Sequence, residues 1–332
     1  MLNGRKRLVT IVAGTAVAVA AAVGMMPTDS AQATPTIQDV QHRVDRLYHA
    51  AERASERYNQ IRVQLRQMHG DVHALRADQA RQQHRTERAR RQVADSIVRQ
   101  YEGDSLSAVG QAVVTSDPTS FVSQLNTLAA FNSMQASQYS SYLTQAKALS
   151  IRRGATRSQL AKVAELEKQA AADKATIARK LARAKSVLGK MQAAARARLL
   201  EASRGTTRVN MSDIPASGRA AVAVHFAMAQ IGKPYVYGAA GPNAYDCSGL
   251  TMASWGAAGV GLSHSSSAQF GEGTHISPSQ LRPGDLVFYY HPISHVGMYI
   301  GNGMIVNAEN PSAGIRVAPL YSMPFVGAVR PG

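Results

Sequence analysis

Gly232-Lys233-Pro234-Tyr235-Val236-Tyr237-Gly238, followed after six residues by Tyr245-Asp246-Cys247-Ser248-Gly249-Leu250, carries the single cysteine of a 332-residue chain. A loop rich in glycine and proline delivers Cys247 to the start of an expected helix, Cys247 to about Gly256. Unpaired backbone N–H groups and the helix dipole at such a position favour a thiolate. An ordinary thiol, with a pKa near about 8.5, is only a few per cent ionised at neutral pH, whereas helix-terminal or imidazole-paired thiols fall to about 3.5–7.5. The competing explanation is a small buried core residue, which cysteine often is. Cys247 alone does not decide between them.

A second stretch supplies the partner. Leu281-Arg282-Pro283-Gly284-Asp285-Leu286-Val287-Phe288-Tyr289 reads as a turn entering a strand. His295-Val296-Gly297-Met298-Tyr299-Ile300 then alternates faces, Gly301-Asn302-Gly303 turns, and Met304-Ile305-Val306-Asn307 returns. With a three-residue loop, Ile300 opposes Met304 and Gly297 opposes Asn307. His295 and Asn307 then share a face as a diagonal pair, within reach of long side chains. A general base oriented by a polar third group is what nucleophilic catalysis needs, with the Asn307 carbonyl holding the imidazole. Residues 218–332 thus form an expected α+β domain of usual size. Its elements are a helix over 219–231, the Cys247 helix, and strands at 286–290, 295–300 and 304–308.

Upstream the chain changes character. Apolar or small residues fall at Ile37, Val40, Val44, Leu47, Ala51, Ala54, Tyr58, Ile61, Leu65, Met68, Val72 and Leu75, in alternating steps of three and four. That is a heptad seam, too narrow a stripe to stand without a partner helix. It turns polar from Gln79 to Ala89 and resumes at Val93, Ile97 and Tyr101. Gly103-Asp104 breaks the helix, and Asp117-Pro118 opens a second one over about 119–204, with Leu160, Val163, Ala170, Ile177, Leu181, Ala184, Leu188, Met191 and Ala195 on a similar seam. An antiparallel coiled-coil hairpin over 34–204 is the simplest reading; a parallel dimer is the alternative. Residues 205–217 read as a linker. His69 and His73, four apart, could clamp a metal, but no third ligand accompanies them and a solvated face explains them better. No metal or cofactor is expected.

Charge is unevenly placed. Residues 34–210 hold 29 Lys+Arg against 15 Asp+Glu, while residues 211–332 hold 5 of each, so +14 of the net +16 belongs to the helical region. Such an arm attracts polyanions. Residues 1–33 narrow the choice: Arg5, Lys6 and Arg7 precede an apolar run from Leu8 to about Met26, and Ala31-Gln32-Ala33 follows as a cleavage site. This is the layout of a secretory signal, with an uncleaved anchor as the alternative. The protein is therefore expected outside the cytoplasm, which argues against nucleic acid and leaves anionic wall polymers or a membrane surface. An exported chain with one cysteine has no intrachain disulfide, and a lone thiol there is either buried or used.

Taken together, Pro-Tyr-x-Tyr-Gly at 234–238, Asp-Cys-Ser-Gly-Leu at 246–250, Pro-Gly-Asp-Leu-Val at 283–287 and His-Val-Gly-x-Tyr-x-Gly-x-Gly at 295–303 resemble the NlpC-type peptidoglycan endopeptidases, a papain-like family. The resemblance covers residues 219–329. It implies a thiol hydrolase cutting wall stem peptides between D-glutamate and the diamino acid, in wall remodelling or daughter-cell separation. By position it assigns Cys247 as nucleophile, His295 as base and Asn307 as third group, where histidine is more usual; Glu309 is the fallback if the register differs. It also places Tyr235 and the Cys247 N–H near the oxyanion or substrate, and Ser248 beside the nucleophile, where a helix-end hydrogen bond explains it equally well. Gly238-Ala239 stands where two glycines are common. His264 reads as a surface-loop residue, His291 as a loop neighbour of Pro292, and Trp255 as core behind the Cys247 helix. Two other functions compete: a wall amidase or thiol acyl-transferase on the same scaffold, and a non-catalytic envelope scaffold whose coiled coil binds a membrane-bound division partner.

Overall fold

The structure is a computed structural model that describes residues 36–101, 118–191, 193–204 and 214–332. The expected signal segment, the break at Gly103-Asp104, the Asp117 cap and most of the linker lie outside these residues. Among the described residues no helix is long and apolar enough to cross a membrane.

Two long helices form the arm: α1, Ile37–Tyr101, and α2, Pro118–Gly189. Neither contains an internal proline, and both are dense in Ala, Gln, Arg and Leu, which lose little side-chain freedom in a helix. They pack antiparallel. Arg57 bonds Asp173, Gln82 bonds Gln145 and Arg152 bonds Asp78, so numbers fall along one helix as they rise along the other. The partner that the narrow apolar stripe requires is thus in the same chain. Val44 and Tyr48 pack with Ala184 and Leu188, and Ala51, Ala54, Ile61, Val72, Val163, Ala170 and Ile177 are buried as the heptad steps anticipate. Ile37, Ile97 and Leu160 depart from the expected seam, at 44%, 60% and 37% exposed. The polar interruption also has a structural reason. Gln82 and Thr86 are buried, and Gln82 donates to both the side-chain and backbone oxygens of Gln145. A satisfied polar pair in an apolar seam fixes register. His69 and His73 point into solvent. A short helix, α3, spans Ala193–Arg204.

The C-terminal region is α+β. Helix α4, Gly218–Met228, ends three residues before the expected boundary, and α5 spans Cys247–Ala257. A single turn, α6, spans Ser266–Gln269. Six strands follow: β1 Thr274–Ile276, β2 Leu286–Tyr289, β3 His295–Gly301, β4 Met304–Asn310, β5 Gly314–Pro319 and β6 Phe325–Arg330. They make one antiparallel sheet in the order β1-β6-β2-β3-β4-β5. Leu286, Phe288, Val296, Met298 and Val306 share a core with Val224, Leu250 and Trp255 of the helices. The alternate residues Val287, Tyr289 and Ile305 form a second core with Ala318 and Leu320. Trp255 sits behind the Cys247 helix as expected, its indole N–H donating to the Gly284 carbonyl at 3.2 Å.

The β3–β4 hairpin corrects one expected pair. Met298 opposes Val306 and Tyr299 opposes Ile305, but the register then shifts and Gly301, not Ile300, meets Met304. The cause is the turn: Asn302 at φ 52° and Gly303 at φ 68° form a two-residue loop with both central residues left-handed, which suits the strand twist.

At the start of α5, Gly249 permits a close approach that no side chain could. A β-carbon there would lie 2.2 Å from the Ala239 carbonyl oxygen and 2.9 Å from Asp246 Oδ1. Gly249→Ala is therefore expected to destabilise the fold by about 1–3 kcal/mol, the usual cost of overpacking. Urea unfolding of the variant beside the wild type checks this; equal midpoints would mean that the loop yields freely.

Candidate active site

Asp246 caps the helix that begins at Cys247. Its extended backbone (φ −92°, ψ 179°) lets the carboxylate accept from the Gly249 N–H at 2.6 Å. The same carboxylate accepts from the Gly238 N–H at 2.9 Å, tying down the Tyr-rich loop. It also bonds His264 Nε2 at 2.9 Å. His264 is therefore buried, not the surface-loop residue expected, because a buried carboxylate draws it in. The Ser248 hydroxyl is fully buried and turns to Asp246 Oδ1 at 3.4 Å, so it serves the helix end. Tyr235 is buried, packs edge-on against Tyr237 with ring centroids 4.8 Å apart, and shares a core cluster with Cys247. Burial pushes its phenol well above the ordinary range.

Strand β3 begins at His295, and the preceding Ser294 carbonyl lies 4.0 Å from Cys247 Sγ. His295 Nε2 meets Asn307 Oδ1 at 3.1 Å across the hairpin. Gly297 lies between them: a β-carbon there would be 3.2 Å from Asn307 Cβ. Glu309 instead pairs with Arg316 at 2.8 Å, and His291 is exposed in the turn before β3. Cys247, His295 and Asn307 thus come together from α5, β3 and β4.

A fourth side chain completes the cluster, and sequence reasoning missed it. Glu52 of α1 places Oε1 2.5 Å from His295 Nδ1. With acceptors on both ring nitrogens, His295 is drawn toward its doubly protonated form. Burial alone would lower its pKa, but the Glu52 charge and the hydrogen bonds to Glu52 and Asn307 prevail and raise it. Cys247 goes the other way from the sequence expectation. Burial, reinforced by the charges of Glu52, Asp246 and Glu56, pushes its thiol well above the usual value. A helix terminus cannot offset the loss of water plus three nearby carboxylates. This arrangement favours a neutral thiol beside a protonated imidazole.

Helix α1 covers the rest of the groove as well. The Glu56 carboxylate accepts from the Ser265 hydroxyl at 2.6 Å and from the Ser266 and Ser267 N–H groups at 3.0 Å each. Asn59 donates to Asp246 Oδ2 at 3.0 Å, and Gln60 donates to the Ser267 hydroxyl. The Tyr237 hydroxyl donates to the Tyr48 carbonyl at 2.9 Å, and Tyr48 bonds Ser312 at 3.0 Å. Cys247 is left 4% exposed and His295 not at all. The available signal was the spacing of Glu52, Glu56 and Asn59 at i, i+4 and i+7, two acids and an amide on one face of a basic helix, beside the small residues Ala51, Ala54 and Ser55.

Known proteins are similar to the C-terminal region of the chain. The chain is 41% identical over 116 residues to a probable endopeptidase of Corynebacterium glutamicum, covering 35% of this chain and 56% of that protein. It is 40% identical over 107 residues to a probable endopeptidase of Mycobacterium tuberculosis, covering 32% and 28% respectively. The chain thus spans between about a quarter and just over half of the lengths of these curated relatives. Among solved structures, the NlpC/p60 domain of the peptidoglycan hydrolase SagA is 33% identical over 33% of this chain and 97% of that one, with a TM-score of 0.32. Residues 232–328 match the profile of the NlpC/P60 family, and the C-terminal domain of this chain belongs to that family.

Proposed function

We propose that the protein is a cell-wall cysteine peptidase, a secreted D,L-endopeptidase of peptidoglycan stem peptides, held latent by its own helix α1. The observation that carries the reading is the convergence of Cys247, His295 and Asn307 from three elements, with the Asn307 carbonyl on the Nε2 side of the imidazole. With α1 withdrawn, Nδ1 is free to take the Cys247 proton, and the thiolate attacks the scissile carbonyl. The Cys247 backbone N–H and the Tyr235 hydroxyl then serve the oxyanion or the substrate. The acyl-enzyme forms as the amine leaves with the proton held by His295, and water releases the acid. The peptidoglycan substrate rests on the family of the catalytic domain, and action outside the cytoplasm rests on the signal-like residues 1–33. The basic helical arm suits attachment to anionic wall polymers or lipid.

Latency is supported by the chemistry of the closed site. An imidazolium cannot accept a proton and a thiol is a poor nucleophile, so α1 disables the pair as well as covering it. A hydrogen bond between charged groups contributes about 1.5–3 kcal/mol, which sets a population shift of about 10- to 100-fold.

Two measurements test the reading. Mass spectrometry of purified wall digested by the chain is expected to show new disaccharide-dipeptide termini, and Cys247→Ala is expected to lose at least about 10³-fold of that activity. Separation of glycan from peptide at the lactyl amide would make the enzyme an amidase instead, and unchanged lysis in Cys247→Ala would remove the nucleophile. Glu52→Ala is expected to raise the rate of the full-length chain by about 10- to 100-fold, following the population shift above. An unchanged or lower rate would mean that α1 does not restrain the enzyme.

A further inference from the structure

The closed site has metal chemistry of its own. A donor atom from each of Glu52, Cys247 and His295 lies within 4.8 Å of the other two, and all three residues are buried. We propose that this cluster binds a borderline-soft divalent cation, Zn²⁺ foremost, which clasps α1 onto the catalytic pair. The site goes beyond the peptidase reading, since it holds whichever bond the enzyme cuts.

Four observations support it. The donors are a thiolate sulfur, an imidazole nitrogen and a carboxylate oxygen, a set that suits zinc and not the hard, oxygen-seeking Mg²⁺ or Ca²⁺. Charge also balances. The trio of thiol, imidazolium and carboxylate is neutral. When Zn²⁺ enters, the Cys247 proton and the His295 Nδ1 proton leave to solvent, and thiolate, imidazole, carboxylate and cation again sum to zero. A buried cluster therefore takes the ion without acquiring a net charge.

The surroundings orient the donors as metal sites require. The far nitrogen of His295 is held by Asn307 Oδ1 at 3.1 Å, which directs Nδ1 to the cluster. The second oxygen of Glu52 is held by His49 Nδ1 at 3.4 Å. A ligand histidine fixed through its other nitrogen, and a ligand carboxylate fixed through its other oxygen, are the usual supports of a zinc centre. Finally, Glu52 also lines a cavity of about 350 Å³ together with Asp45 and the Glu309–Arg316 pair, which gives an ion a way to the Glu52 side of the cluster.

The donors lie within 4.8 Å of one another, so the widest separation must close by as much as about 1 Å. Tetrahedral zinc, with bonds of about 2.0–2.3 Å, sets its donors roughly 3.2–3.7 Å apart. The Glu52–His295 contact of 2.5 Å must open by about 1 Å, which rotation of the Glu52 carboxylate supplies. Three protein ligands leave the fourth position to water.

The test titrates the full-length chain with Zn²⁺, and with Co²⁺ as a spectroscopic probe, on a His69→Ala/His73→Ala background that removes the exposed histidine pair. Expected are one bound ion per chain and a thiolate-to-cobalt charge-transfer band, lost in Cys247→Ala. Glu52→Ala is expected to weaken the affinity by at least about tenfold, the lower bound for losing even an outer partner of a metal ligand. A band that is absent, binding equal to that of Mg²⁺, or an affinity unchanged in Glu52→Ala would each overturn the clasp; the last would mean that the catalytic pair alone takes the ion. These readouts are independent of wall cleavage, so loss of the endopeptidase reading leaves them interpretable. In the wall digest, Zn²⁺ is expected to suppress the wild type far more than Glu52→Ala, with recovery on adding a chelator.

Discussion

The Asp246 carboxylate is the fixed point of this molecule. It is 1% exposed, and a carboxylate so placed is tolerated only when its lone pairs are answered. Here the Gly249 N–H starts the Cys247 helix, the Gly238 N–H closes the tyrosine loop, His264 folds the following loop inward, and Asn59 draws in α1. One anion therefore sets the position of Cys247, the wall of the groove and the seat of the arm. Gly249 is bound into the same arrangement, because only a residue without a side chain lets the Ala239 carbonyl come so near the helix start.

Around this point the site presents two chemistries from one set of atoms. Asn307 always faces the far side of the imidazole, so the near nitrogen answers to whatever lies opposite. With Glu52 opposite, that nitrogen is drawn to keep its proton and the cationic ring is favoured. On the proposed reading, with a thiol opposite and no carboxylate it is a base. That change would need only the departure of one side chain. Control proposed in this way resides in electrostatics as much as in coverage.

Much of this was legible from residues and some was not, for reasons that are physical. Cys247, His295 and Asn307 lie in segments whose periodicity is unambiguous, a capped helix start and two alternating strands. Strands β1, β5 and β6 were not anticipated: β1 has three residues, and β5 and β6 carry glycine or proline at their ends or centres, which blurs alternation. The Ile300–Met304 pairing failed because Gly301 opens a bulge ahead of a two-residue turn. His264 precedes three serines and so reads as a solvent loop, yet those serines face Glu56 and are themselves covered. Glu52, Glu56 and Asn59 escaped because heptad logic consigns charged residues to solvent. It does not ask whether a second domain lies against that face. The expected thiolate failed for a related reason: a helix terminus favours an anion, but burial opposes it, and two of the three carboxylates that reinforce burial, Glu52 and Glu56, come from a helix about 200 residues earlier in the chain.

The buried Gln82–Gln145 pair has a consequence for how the arm could move. It lies thirty residues along α1 from Glu52, roughly 45 Å at the rise of an α-helix, and it fixes the rotational phase of the helix against its partner. Glu52, Glu56 and Asn59 occupy two successive turns, so a slip of one residue swings all three away by about 100° together. The arm is in this sense a keyed shaft: torque or tension applied far from the groove leaves the key seated until the phase gives way, and then withdraws every tooth at once.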